Sequence, residues 1–383
     1  MKKLLKFLSY VLVAALASAA TLGISAMRDE PYKLEQLQDL IETKFIGEVD
    51  PTAMEDAAAA AMVASLGDRW SYYIPAAEYQ DHLDSVNNSY VGIGVTIQVT
   101  EDDSGFLILK VEQTGPAAEA GILAGDKIVA ISGRSAAGMT TTEAGELVKG
   151  EEGTTVDLTV LRDGTELPFT VKRRTVLTVV AEGRMLEDGI GLVTITNFDA
   201  RCYDETIAAI EALLDAGAEA LIFDVRNNPG GYKSELVKVL DYLLPEGDLF
   251  RSEYYDGEVY TDTSDADCLQ IPMAVLVNSG SYSAAEFFAA ALEEYDAAVT
   301  VGQQTVGKGY FQITTKLADG SAVGLSVGRY TTPNGVSLAE VGGLTPAIEV
   351  DVDDETFSAI YAGLLEPEND PQIQAAVEAL MGE

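Results

Sequence analysis

The chain of 383 residues has a single histidine, His82, and only two cysteines, Cys202 and Cys268. Two cysteines are too few for a disulfide framework, and with one histidine they make no metal motif. They either pair with each other or sit as two buried thiols, and separate thiols are the expectation. Basic residues are scarce as well, 24 against 62 acidic, for a formal net charge of −38. Phosphate binding needs clustered Lys and Arg, so nucleic acid is excluded as a partner. The acidic excess serves solubility and says little about fold. A hydrophobic fraction of 47% excludes wholesale disorder, and the length leaves room for two or three domains.

One long uncharged run is present. "FLSYVLVAALASAATLGISAM" follows Lys2, Lys3 and Lys6. Roughly twenty residues of this kind behind a positive flank predict a signal peptide or membrane anchor over 1–27. The length suits an anchor, and the small residues Ala17, Ser18, Ala19 and Ala20 suit cleavage. No cysteine lies here, which excludes a lipoprotein anchor. Either outcome places the rest of the chain outside the cytoplasm, membrane-anchored or secreted.

Beyond the run, residues 28–88 read as helices, with Leu34, Leu37, Leu40 and Ile41 at helical spacing and Pro75 opening a short helix. His82 is expected at the surface or boundary of that segment. Residues 89–174 read as strands around one helix, "TTEAGELVKG", with Asp163-Gly164 turning the last hairpin. Residues 175–352 alternate strand and helix three times, which predicts a layered, largely parallel α/β core and a multidomain α+β chain. A hairpin through "ADGS" follows, and 353–383 is an acidic helical tail. No internal repeat is visible.

The stretch "VNSGSYSAAEFF", 277–288, places Ser283 at a helix N-terminus, where orphan N–H groups favour negative charge. Two readings are open. Ser283-x-x-Glu286 is a capping-box pattern, and a serine in this field is also a candidate nucleophile beside an oxyanion site. A nucleophile needs a base, and His82 lies across a whole intervening module. A lysine serves if its amine is kept neutral. Lys308 stands between glycines in "TVGKGYFQ"; an exposed loop lysine is the plainer reading. If "KGYFQ" is a strand, Lys308 and Gln312 share a face, and Gln312 can hold the amine. "DVRNNPGG", 224–231, is a turn whose N–H groups can face a ligand, or simply a strand-to-helix loop. The Gly230 and Ala284 N–H groups are the candidate oxyanion donors, with Gly231 as the alternative.

Two resemblances extend this reading. "GPAAEAGILAGDKIVAISG" is similar to the PDZ signature, and "YVGIG" looks like its carboxylate-binding loop. That implies peptide binding by Val91, Gly92, Ile93 and Gly94 and strand addition beside them. The whole resembles the carboxy-terminal processing peptidases, or tail-specific proteases, in the family's order: "SLGDRWSYYIPAAEY", then PDZ, then a core with "DVRNNPGG", "VNSGSYSAAE", "VGQQTVGKGYFQ" and "RYTTPNG…GLTPAIEV". The resemblance implies a PDZ domain at 89–174 inserted before a serine protease core at 175–352 of crotonase/ClpP-like layering. It implies Ser283 as nucleophile, Lys308, 25 residues downstream, as base, and Gln312 as its assistant. No metal or cofactor is required. The implied partners are proteins or peptides with accessible C-terminal tails, the membrane through the N-terminal segment, and a second copy if the helical ends at 31–65 and 353–383 pair. Three positions depart from the family pattern: Tyr282, Ala285 and Lys149. The competing readings are a catalytically silent PDZ scaffold and a crotonase-like acyl-CoA enzyme. Retention of Ser283, Lys308 and Gln312 argues against the first, and a PDZ module with an export signal against the second.

Overall fold

The structure, a computed structural model, describes residues 32–100 and 102–382. The apolar run, and with it the expected signal peptide or anchor, lies outside those residues. Among the described residues no helix is long and apolar enough to cross a membrane. The chain divides into two compact units, Met1–Leu66 and Gly67–Glu383. The described part of the first is a pair of helices, Lys33–Lys44 and Pro51–Ala64. Asp50 caps the second by accepting the Ala53 N–H at 3.1 Å. Gln38 reaches across to Glu55 at 3.1 Å.

The second unit begins inside the segment expected to be helical throughout. Tyr72–Ile74 is a strand, Pro75 starts a turn, and the helix runs Tyr79–Val86. The strand pairs antiparallel with Ala322–Gly324, far along the chain. Gly324 has to be bare, since the Tyr72 ring lies across it and a Cβ there would stand 2.3 Å from the ring.

Residues 89–177 build the β-rich module. Its sheet runs, in order, Val95–Val99, Phe106–Val111, Lys127–Ile131, Thr155–Arg162 and Thr165–Lys172. Alternating residues of these strands, Phe106, Ile108, Ile128, Leu158 and Val160 among them, close a core with Ala144 and Val148 of the helix Thr141–Val148. Val95–Val99 is an edge strand, with no partner on its outer side among the described residues. The strands that enter and leave the module, Ser89–Gly92 and Arg174–Leu177, pair with each other. Just outside that pair the Asn88 carbonyl accepts the Thr178 N–H at 2.8 Å and Arg201 Nη2 at 3.3 Å, and Ser89 Oγ donates to the Asp84 carbonyl at 3.2 Å.

The remaining residues form two sheets. The first runs Ala181–Met185, Ile190–Ile195, Ala220–Asp224, Met273–Val277, Ala298–Gly302 and Ile348–Glu349, antiparallel at the first pair and parallel thereafter. This is the layered parallel core that the alternating pattern predicts. Its central strands are apolar on both faces because both faces are covered. Val193, Leu221, Phe223, Val275 and Val277 meet the helices Cys202–Asp215, Lys233–Leu243 and Ala284–Glu294, while Leu192, Ile222, Ala274 and Leu276 meet Pro371–Met381. The second sheet is antiparallel: Tyr72–Ile74, Ala322–Thr331, Gly247–Tyr254 and Val259–Ser264, with Tyr310–Lys316 also on Ala322–Thr331. The hairpin at 247–264 is absent from the sequence reading, although Asp256-Gly257 is a hairpin turn signal. Cys202 and Cys268 are free thiols, and burial pushes the first up to about 12.

The final helix is tied to the core by charge. Arg226, with 4% of its side chain exposed, donates to Asp224 at 2.6 Å and to Asp370 at 2.8 Å. Asp370 also caps the Pro371–Met381 helix. Asp370→Ala should remove the cap and leave a buried guanidinium short of a partner, at a loss of about 3–5 kcal/mol. Guanidinium unfolding measures this, and a loss below about 1 kcal/mol would mean the pair contributes no more than a surface bridge.

Candidate functional site

Three neighbouring parallel strands, ending at Asp224, Val277 and Gly302, deliver three loops to one place. The carboxyl ends of parallel strands are where such folds assemble sites. The loops are laced together by polar side chains. Asn227 N–H donates to Asn278 Oδ1 at 2.9 Å, and Asn228 Nδ2 donates to the Ile195 carbonyl at 2.8 Å. Ser281, fully buried, donates to the Val225 carbonyl at 2.7 Å. Ser281 is therefore a structural serine, and Ser279 is exposed on the turn.

Ser283 stands at the start of the helix Ala284–Glu294 with φ 58° and ψ −125°. That conformation is costly for a residue with a Cβ and persists only where its surroundings impose it. Gly230 approaches closely here, and a Cβ on it would lie 2.7 Å from Ser283 Cβ. Ser283 Oγ is 2.9 Å from Tyr330 Oη. Burial holds the Tyr330 phenol well above its usual range, so the tyrosine stays protonated.

Glu286 makes the capping box expected of it and does more. Its carboxylate is fully buried. Oε2 accepts the Ser283 and Lys308 N–H groups, each at 2.9 Å, and Oε1 accepts Thr305 Oγ1 at 2.5 Å and the Gly307 N–H at 2.6 Å. One side chain thereby fastens the lysine loop to the start of the serine helix. The sequence pattern carried the capping half of this role; nothing in it marked the other half.

Lys308 precedes the strand Tyr310–Lys316 and is not part of it, and the ladder shifts register between Phe311 and Gln312. The alternation expected for 308, 310 and 312 therefore does not hold. Gln312 Nε2 donates to Ser326 Oγ at 2.9 Å and does not bond the lysine. Lys308 Nζ makes no hydrogen bond to Ser283. It lies 4.7 Å from the centroid of the Trp70 ring and 5.9 Å from that of Tyr282. Burial depresses its pKa to about 8, while Asp68 and Glu286 pull the other way. Of the expected oxyanion donors, the Ala284 N–H has no acceptor among the described residues. The Gly230 N–H is occupied by Asn228 Oδ1 at 2.8 Å, which leaves the Gly231 N–H as the unengaged one of the pair.

Ser283, Ala284, Lys308, Gln312, Gly230 and Gly231 all line one cleft of about 760 Å³. Its walls are largely aromatic and apolar: Tyr72, Tyr79, Leu236, Phe250, Phe311 and Tyr330. His82, half-buried on the helix Tyr79–Val86, lines it as well. Among the described residues Asp199 is the one carboxylate in the lining, raised by burial to about 6. Among the described residues no cluster could hold a metal ion. Val91, Gly92, Ile93 and Gly94 lie apart from the cleft. They lead into the edge strand Val95–Val99, and the Ile93 carbonyl accepts the Ala117 N–H at 2.8 Å.

Residues 189–350 match the sequence profile of peptidase family S41, and residues 91–172 that of the PDZ domain. The carboxy-terminal processing protease CtpA of Bacillus subtilis is 32% identical over 371 residues, covering 92% of this chain and 79% of that one. The carboxyl-terminal-processing protease of Synechocystis is 30% identical over 339 residues, covering 86% and 77%. Among solved structures, a protein of Bacteroides fragilis described as an S41 protease superposes with a TM-score of 0.58 at 19% identity, covering 91% of this chain and 97% of that one, a likeness of fold.

The Glu286 tether is directly testable. In Glu286→Gln one oxygen becomes an NH₂ group, and whichever way the amide turns it faces two donors. Unsatisfied buried donors cost about 1–3 kcal/mol each, so the variant should lose about 2–5 kcal/mol in chemical unfolding. Wild-type stability in Glu286→Gln would show that the carboxylate does not hold the loop.

Proposed function

This chain belongs to peptidase family S41, the carboxy-terminal processing proteases, and on that premise we propose that it is an exported serine endopeptidase with a Ser283–Lys308 dyad. The observation that carries the reading is that Glu286 ties the segments bearing Ser283 and Lys308 together within one aromatic cleft. Neutral Lys308 takes the proton of Ser283 Oγ, and Oγ attacks the carbonyl carbon of the scissile bond. The Ala284 N–H, with that of Gly231 or of a released Gly230, stabilises the oxyanion. The lysine ammonium returns its proton to the departing amine, leaving an acyl-serine that water, activated by Lys308, hydrolyses. Gln312 assists by turning from Ser326 to the lysine amine. Hydrogen bonds of catalytic groups often close only around substrate, and here Lys308 has to leave the Trp70 ring and Ser283 has to leave Tyr330.

The PDZ module brings the substrate. An extended C-terminal tail adds to the open edge of Val95–Val99 with its carboxylate at 91–94, and the bond upstream reaches the cleft. Export and a place at or beyond the membrane follow from the N-terminal run. The absent Ser283–Lys308 hydrogen bond favours the second reading, a silent binding scaffold.

Incubation of the purified protein with an unstructured polypeptide ending in an apolar tail separates the two. Ser283→Ala and Lys308→Met should each lower cleavage by at least ~10⁴-fold; undiminished cleavage by Ser283→Ala would sink the proposal, and binding without cleavage in every variant would favour the scaffold. The pH dependence has a definite sign. The lysine acts only when neutral, so kcat/KM should climb from pH 7 and level off above the lysine pKa of about 8. A profile flat across that interval is incompatible with Lys308 as the base.

A further inference from the structure

We propose that Trp70 is a positioning residue for Lys308: its ring face holds the lysine while charged and releases it once neutral, so that the amine reaches Ser283 only in the form able to act as a base. The inference rests on Lys308 being the base and adds a residue to that reading. Lys308 Nζ is 4.7 Å from the Trp70 centroid, with Tyr282 flanking at 5.9 Å and the two rings 5.7 Å apart. No hydrogen bond holds Nζ among the described residues. The attraction of a cation for the ring quadrupole retains it, alongside the charges of Asp68 and Glu286, and a neutral amine has no such attraction.

The backbone that carries the ring, including the Trp70 main-chain N–H, is held in place. Asp68 accepts the Trp70 N–H at 3.0 Å and Ser71 Oγ at 2.6 Å, and Ser71 Oγ accepts the Ser326 N–H at 3.0 Å. The strand Tyr72–Ile74 then anchors the segment to Ala322–Gly324. Position therefore depends on charge, and the charged and titratable groups about the amine set that charge. Asp68 and Arg69 lie on the Trp70 segment, with Arg69 4.2 Å from the same ring. Tyr282 and Glu286 lie at the serine helix and Tyr330 behind Ser283, while His82, Asp199 and Lys233 line the cleft more widely. Asp68 and Glu286 favour the ammonium and burial opposes it. An amine near balance is the condition under which a charge-dependent hold has consequences.

Trp70 is the only tryptophan in the chain, so tryptophan fluorescence reports this ring alone. Titrated from pH 6 to 9.5, the wild-type protein should pass through one emission transition centred near 8, where Lys308 loses its proton. Lys308→Met should abolish the transition, and His82→Gln should keep it. Cleavage supplies the second arm. Phe and Leu fill similar volumes at position 70, but only Phe offers a ring face. Trp70→Leu removes an interaction that favours the ammonium, so the acidic limb of its kcat/KM profile should lie below that of Trp70→Phe by roughly half to one and a half pH units. A transition unchanged in Lys308→Met, or coincident limbs for the Phe and Leu variants, overturns the proposal. Cleavage at the wild-type rate by Lys308→Met overturns the dyad itself and with it the catalytic half of this inference, whatever the fluorescence does.

Discussion

The Glu286 carboxylate is the point on which the site depends. It sits at the positive end of the helix Ala284–Glu294, buried, with four donors converging on two oxygens. Two of those donors are backbone groups of the lysine loop, which has no regular structure of its own between Gly302 and Tyr310. Without the carboxylate the loop would carry unpaired buried N–H groups; with it, the loop is part of the helix terminus. The choice between a capping serine and a reactive one therefore dissolves. The glutamate accepts the backbone N–H of Ser283, and the hydroxyl hydrogen-bonds Tyr330 in the cleft.

What was legible in the sequence was local. Three strand–helix alternations, the Asp163-Gly164 hairpin and the helix after Ser283 are each written in a dozen consecutive residues, and each is where it was expected. The gathering of Ser283, Lys308, Gln312 and Gly230 was legible through several motifs in family order. The parts that were missed depend on distant partners. Tyr72–Ile74 is too short to announce itself, and it is extended because Ala322–Gly324 offers it an edge. The Trp70 ring meets Lys308 and Tyr282 because of the same distant pairing. The strand alternation proposed for Lys308 and Gln312 does not apply, because Lys308 lies ahead of the strand Tyr310–Lys316, although both side chains line the same cleft.

The PDZ module enters and leaves through a single antiparallel pair, Ser89–Gly92 with Arg174–Leu177. Around that junction Asn88 exchanges hydrogen bonds with Asn197 and accepts from Arg201, and its Nδ2 lies 3.4 Å from Asp199, which also lines the cleft. The junction between the PDZ module and the cleft-bearing part is thus lined by polar groups, while each side keeps its own apolar core.

The strand Tyr72–Ile74 also sets an order of assembly. Ser71 and Ser326, which meet beside it, are 255 residues apart in the chain. Closing so long a loop is slow, and the closure cannot begin until the second partner exists. During synthesis Ser283 and Lys308 emerge while Ser326 and Tyr330 are still to be added, and the Trp70 segment has no edge on which to dock. A half-made chain therefore carries Ser283 and Lys308 before it has Tyr330, which closes beside Ser283 in the finished cleft.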